Sequence, residues 1–160
     1  MLISFDIDGV LAEANYIGEE AWQTGGKEEF GKHLLDLKPR FPELIPYINR
    51  LKRHHVVQIN SARCRDWWGD TDKWLNMIGL RPSIIVNCLG DRKLKYLKEL
   101  KPDLHFDDHE DYVQEAWGVH VWHPSWSDTP SGDMVSSAEE IIERISYEKN
   151  KKYGSKVATS

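Results

Sequence analysis

Cysteine is scarce in this chain. Cys64 and Cys88 are the only two among 160 residues, which excludes a disulfide-stapled framework of the secreted kind. No group of Cys and His has zinc-site spacing. Long apolar runs are missing as well: none approaches the ~20 residues that a bilayer-spanning helix needs. The first residues lack the basic flank and apolar stretch of a signal peptide. These absences lead to the expectation of a reducing, cytoplasmic setting with no membrane association. Positive charge is not in surplus either. Lys and Arg number 21 against 26 Asp and Glu, a net charge of −5, so no whole-protein basic field draws in nucleic acid, although a local basic groove remains open.

What is present suits one domain. At 160 residues, 40% apolar and 29% charged, the chain has ordinary globular composition and length for a single core. Leu2, Ile3 and Phe5 read as a buried strand. From Ala12 the apolar pattern weakens, Gly25-Gly26 breaks it, and 28–37 reads as a short helix, so residues 12–40 are expected to form a small lid insertion over the end of the first strand. Leu44, Ile45, Ile48 and Leu51 then repeat at helical spacing. Val56, Val57 and Ile59 read as a strand, Trp67, Thr71, Trp74, Leu75 and Ile78 as a helix stopped by Gly79 and Pro82, and Ile84 to Val86 as a third strand. Leu94, Leu97 and Leu100 mark a helix, Leu104 and Phe106 a strand, Val113 to Trp117 a short helix, and Val119 to Trp122 a fifth strand. Met134, Ala138, Ile141, Ile142 and Ile145 close the pattern. The polar residues 149–160 lack a stripe and are expected to be a flexible tail, leaving 1–148 as the single domain. Strand and helix alternate throughout, which predicts an α/β fold: a parallel sheet of about five strands with helices on both faces.

In such a sheet the functional residues sit beyond the carboxyl ends of the strands. The first strand ends at Asp6-Ile7-Asp8-Gly9, the second at Asn60-Ser61-Ala62-Arg63, and the fourth at Asp107-Asp108; Lys93 follows the third. A phosphomonoester is a dianion and an attacking carboxylate is an anion. Such charges ~4 Å apart repel by about 1 kcal/mol per unit pair even in water. Mg²⁺, which favours carboxylate and water oxygens plus substrate phosphate, removes that barrier. Asp6 and Asp107 are the expected direct ligands, with Asp108 acting through bound water. Asp6 would attack phosphorus, and Asp8 would protonate the leaving alkoxide and then deprotonate the hydrolytic water. Ser61 would donate to a phosphate oxygen. Lys93 would supply positive charge to the transferring group, with Lys95 as the alternative lysine. Arg63 would contact phosphate or a flanking anion.

The ordered set Asp6-x-Asp8-Gly9-x-Leu11, Ser61, Lys93 and Asp107-Asp108 resembles the four motifs of the haloacid dehalogenase (HAD) superfamily of aspartyl phosphatases, over roughly residues 1–123. The resemblance implies a HAD-like fold, an aspartyl-phosphate intermediate, Mg²⁺ as cofactor and the main-chain carbonyl of Asp8 as a further metal ligand. Dehalogenases of the superfamily generally lack an acid at the second position, so Asp8 favours a phosphatase. Asn60-Ser61-Ala62-Arg63, Gly90-Asp91-Arg92-Lys93 and Phe106-Asp107-Asp108 are also similar to the phosphatase half of polynucleotide kinase–phosphatases, which removes 3′-phosphates from nucleic-acid ends, and the 5′(3′)-nucleotidases share much of this set. The chain departs from the first of these in lacking the Gly-x-x-x-x-Gly-Lys-Ser/Thr loop of a kinase.

The expected substrate is therefore a nucleotide or a nucleic-acid 3′-phosphate end. The alternatives are a small sugar phosphate or other metabolite, or a phosphate-binding module that does not turn over. Trp74 and Trp117 read as core, while Trp22, Trp67 and Trp68 are candidates to flank a substrate. His105, His109, His120 and His123 read as structural or solvated. Protein partners and oligomeric state are left open by the sequence.

Overall fold

The structure is a computed structural model that describes residues 1–13, 31–80, 84–109, 120–122 and 134–157. Its elements follow the alternation in order. Strand β1 (Leu2–Phe5) leads through a 3-10 turn (Leu34–Asp36) to helix α1 (Leu44–Leu51). Then come β2 (Val56–Ser61), α2 (Trp68–Met77) and β3 (Ile85–Cys88). Helix α3 (Lys93–Leu100), β4 (Leu104–Phe106), β5 (His120–Trp122) and α4 (Met134–Val157) complete the chain. All strands are parallel, in the order β3-β2-β1-β4-β5. The strand carrying Asp6 is central, and the strands carrying Ser61 and Asp107 flank it.

Side chains alternate across a strand, and here the two faces differ in chemistry. Ile3, Phe5, Val57, Ile59, Leu104 and Phe106 form one apolar core with residues of α1, α2 and α4. The other face carries Ser4, Gln58, Asn60 and His105, all buried, and α3 lies over it. Tyr96 Oη of α3 sits 3.5 Å from Gln58 Oε1 and 3.4 Å from Asn87 Nδ2. Helix α3 stops where Pro102 disfavours further helical backbone, and Lys101 takes up a left-handed conformation with φ 48°.

Of the helix expected over 28–37, residues 31–32 are helical and 34–36 form a 3-10 turn. Leu34 and Leu37 are buried in the main core, and Trp74 Nε1 donates to the carbonyl of Leu37 at 2.8 Å. These contacts tie the end of the stretch to the large core. The rest of the expected lid, residues 14–30, and the helix expected over Val113 to Trp117 lie outside the described residues. Helix α4 runs on past residue 148, where a tail is expected from the sequence, to Val157. Met134, Ala138, Ile142 and Ile145 dock its first turns, and a nucleated helix free of proline propagates cheaply through polar residues. Lys149 pairs with Asp103 at the start of β4. Among the described residues no helix is long and apolar enough to cross a membrane.

Candidate active site

The sheet delivers two carboxylates side by side. Phe5 and Phe106 stack with ring centroids 4.5 Å apart and planes 4° apart. The Asp6 N–H donates to the Phe106 carbonyl at 2.8 Å, carrying the β1–β4 pairing one residue beyond β1. Asp6 and Asp107, the next residue on each strand, therefore emerge together. The chain then turns at Gly9, whose φ of +81° is a left-handed conformation that glycine adopts without strain. A Cβ at Gly9 would lie 1.7 Å from Asp108 Oδ2, so glycine is also required for Asp108 to approach.

Asp6, Asp107 and Asp108 each offer a carboxylate oxygen within 4.8 Å of the others. Lys93, fully buried at the start of α3, bridges the first two: Nζ is 3.0 Å from Asp6 Oδ2 and 2.7 Å from Asp107 Oδ2. Lys95 is instead exposed and stands 4.0 Å from Glu99. Asp107 Oδ2 also meets His105 Nε2 at 2.8 Å, and its Oδ1 accepts the His109 N–H at 2.9 Å. One ammonium among three carboxylates, two of them buried, is too little positive charge. Burial, with Asp107 and Asp8 nearby, pushes the Asp6 carboxyl up to about 8 despite the opposing pull of Lys93. Asp108 is raised as well, by burial and by Asp107. Burial also opposes ionisation of Asp107, but His105 and Lys93 outweigh it and hold that carboxyl near 2. Burial favours a neutral Lys93, yet the two aspartates more than offset this and raise its pKa.

Asp6 Oδ1 is buried and has no hydrogen-bond partner among the described residues. An orphaned carboxylate oxygen is costly, and a hard divalent cation held by carboxylate oxygens would satisfy it. The residues present thus fit a Mg²⁺-type ion. The cluster is consistent with a HAD-like catalytic motif, and with phosphoryl transfer or hydrolysis through an aspartate nucleophile.

Arg63, expected to contact phosphate or a flanking anion, has its fork on Asp8. Its side chain is buried, Nε donates to Asp8 Oδ2 at 2.9 Å and Nη2 to Asp8 Oδ1 at 2.7 Å. Nη1 donates to Thr71 Oγ1 at 3.2 Å, and the guanidinium lies 5.6 Å from the centre of a Trp74 ring. The planar fork that suits a phosphate grips the half-buried Asp8 at two points. Arg63→Gln keeps a donor but loses the two-point grip. Turnover is expected to fall roughly 10- to 100-fold, as misplaced catalytic groups do, with a smaller change in KM; steady-state kinetics on the folded variant reads this split. Ser61 is buried at the end of β2, and its Oγ accepts the Arg63 N–H at 3.2 Å, which leaves its hydroxyl hydrogen for an acceptor at the strand end.

Two residues join this neighbourhood unannounced by motif spacing. Arg40 is buried and donates through Nη1 to the Gly9 carbonyl; burial lowers its pKa to about 10 against the opposing influence of Asp108. His105, read from the sequence as structural or solvated, contacts Asp107 directly. Its signal was parity: His105, Ser4 and Asn60 interrupt otherwise apolar strands on a single face. Neither a known family model nor a curated protein matches this chain.

Proposed function

We propose that the chain is a Mg²⁺-dependent phosphomonoesterase that works through an aspartyl-phosphate, with residues 1–148 as one HAD-like domain. The observation that carries the reading is the orphaned Oδ1 of Asp6, inside a carboxylate cluster that already holds a lysine. Asp6 attacks phosphorus as the bond to the ester oxygen breaks, and Asp8 gives its proton to the departing alkoxide. Asp8 then removes a proton from water, which attacks phosphorus and breaks the bond to Asp6. Lys93 stabilises the charge of the transferring group, and Ser61 donates to one of its oxygens. Asp6, Asp107, Asp108 and the carbonyl of Asp8 would hold the cation, which lowers the repulsion between nucleophile and phosphate.

The favoured substrates are nucleotides and 3′-phosphorylated nucleic-acid ends, on the resemblance of the Ser61, Lys93 and Asp107 segments. Residues 12–40 read as a small lid, supported by the way their ends meet beside Asp8. Ala12 bridges Pro39, and the Glu13 N–H donates to the Lys38 carbonyl at 3.0 Å.

The test is a panel of nucleoside monophosphates, 3′-phosphorylated oligonucleotides and sugar phosphates, assayed with Mg²⁺ and with Mn²⁺. Phosphate release from the first two groups, lost on chelation, is the expected result. Preference for sugar phosphates would redirect the substrate class. Tight phosphate binding with no turnover of any ester would overturn the enzyme reading.

A further inference from the structure

Beneath the carboxylates a single hydrogen-bonded chain crosses four strands of the sheet. Asp107 Oδ2 meets His105 Nε2 at 2.8 Å, and His105 Nδ1 meets Ser4 Oγ at 3.0 Å. Ser4 Oγ meets Asn60 Nδ2 at 2.6 Å, and Asn60 Oδ1 meets Asn87 Nδ2 at 2.7 Å. Ser4, Asn60, His105 and Asp107 are each at most 1% exposed. The chain runs from the half-buried Asn87 on edge strand β3, through β2 and β1, to the residue following β4.

The two ends of the chain fix the direction of its bonds. An ionised carboxylate only accepts, so His105 Nε2 must carry a hydrogen. Asp107 Oδ2 also receives the Lys93 ammonium, 2.7 Å away. From the other side Asn60 Nδ2 donates to Ser4 Oγ, which leaves the Ser4 hydroxyl hydrogen for His105 Nδ1, so Nδ1 accepts. Asn60 presents its amide NH₂ to Ser4 and its carbonyl to Asn87, which donates. No member of the chain needs a solvent partner to complete this order.

The same accounting selects an oxygen on Asp107. Oδ2 takes Lys93 and His105, which occupies both of its lone-pair directions. Oδ1 takes one N–H, from His109 at 2.9 Å, and retains acceptor capacity.

We propose that His105 is a positioning residue for the cation site: it pins Asp107 Oδ2 so that Oδ1 is the donor to the metal, and Ser4, Asn60 and Asn87 fix the His105 tautomer. The proposal rests on the phosphatase reading only through the existence of that cation site.

Two measurements test it. The first is the ¹⁵N imidazole signature of His105 in the metal-free wild-type protein at neutral pH. A protonated-type Nε2 with an unprotonated Nδ1 is expected; the opposite tautomer or an imidazolium overturns the proposal. The second is the affinity for Mg²⁺ and Mn²⁺, by calorimetry, of His105→Gln, His105→Phe and Ser4→Ala. The glutamine amide can donate where Nε2 does, so that variant should bind within about threefold of wild type, whereas phenylalanine should weaken binding roughly 10- to 100-fold, the range for lost outer partners of metal ligands. Ser4→Ala should weaken it less and blur the tautomer signature. Wild-type affinity in a folded His105→Phe protein overturns the proposal. Should that variant not fold, the wild-type signature and Ser4→Ala decide. A wild-type protein that binds the cation with the expected signature but cleaves no ester supports this proposal while removing the phosphatase reading. A wild-type protein that binds neither cation removes this one.

Discussion

Asp6→Asn is expected to remain folded and to lose metal-dependent phosphate release by about a thousandfold or more, the scale on which loss of a covalent nucleophile is felt. The exchange is nearly isosteric and retains a group facing Lys93. What it removes is the anionic oxygen that attacks phosphorus. The same substitution carries a stability signature. In the metal-free fold the Asp6 carboxyl titrates at about 8, against 3.8 for the ordinary group. The folded state therefore keeps a proton that the unfolded chain releases. Stability contributed by that proton is fully present below 3.8 and declines as pH rises toward about 8. Asparagine has no such proton to lose. Without metal the variant should melt above wild type at pH 8, and the gap should close toward pH 4. Thermal melts across this interval, beside single-turnover phosphate release, check both statements. Undiminished turnover would remove Asp6 as the nucleophile, and a pH-independent gap would remove the electrostatic account.

Lys93→Met should be costly in a different way. It deletes the ammonium that bridges Asp6 and Asp107 at 3.0 and 2.7 Å and leaves two buried carboxylates facing one another. Removing one partner of a buried ion pair typically costs about 3–5 kcal/mol, which for a chain of this size lowers Tm by roughly 10 °C. Saturating Mg²⁺ should restore part of the loss, because a cation at the cluster supplies the missing charge. Activity should stay low even when the protein is saturated with metal, since the transferring phosphoryl has lost its ammonium; a fall of roughly 10²- to 10³-fold is expected. Calorimetric melts with and without Mg²⁺ separate the two roles. An unchanged melting temperature would show that Lys93 is not what holds the carboxylates together.

The alternation of apolar segments made the parallel sheet legible, and the strand ends made Asp6, Asp107 and Asp108 legible as a group, because in a parallel sheet those ends share one edge. The sequence left Lys93 and Lys95 as alternatives, and the fold turns the first into the cluster and the second into solvent. Three features were not legible for physical reasons. Arg63 has the chemistry to hold phosphate or carboxylate equally well, and only the fold shows that Asp8 has taken its fork. The run from Lys149 to Val157 has no apolar stripe, and its helicity comes from continuation of a docked segment. His105 shared its parity with Ser4 and Asn60, a faint signal in a three-residue strand, and only the fold shows it buried against Asp107 two residues on.

The stacked rings of Phe5 and Phe106 carry a consequence for ion choice. Each ring immediately precedes an aspartate of the cluster, and the β1–β4 pairing that stacks the rings also sets the gap between those two aspartates. Mg²⁺ demands short, near-octahedral bonds, while Ca²⁺ accepts longer and more numerous ones. Selection by ionic radius at such a cluster would then depend on the sheet and the hydrophobic interior beneath it, where a change of ring size is expected to alter the preferred divalent ion without altering a single ligand.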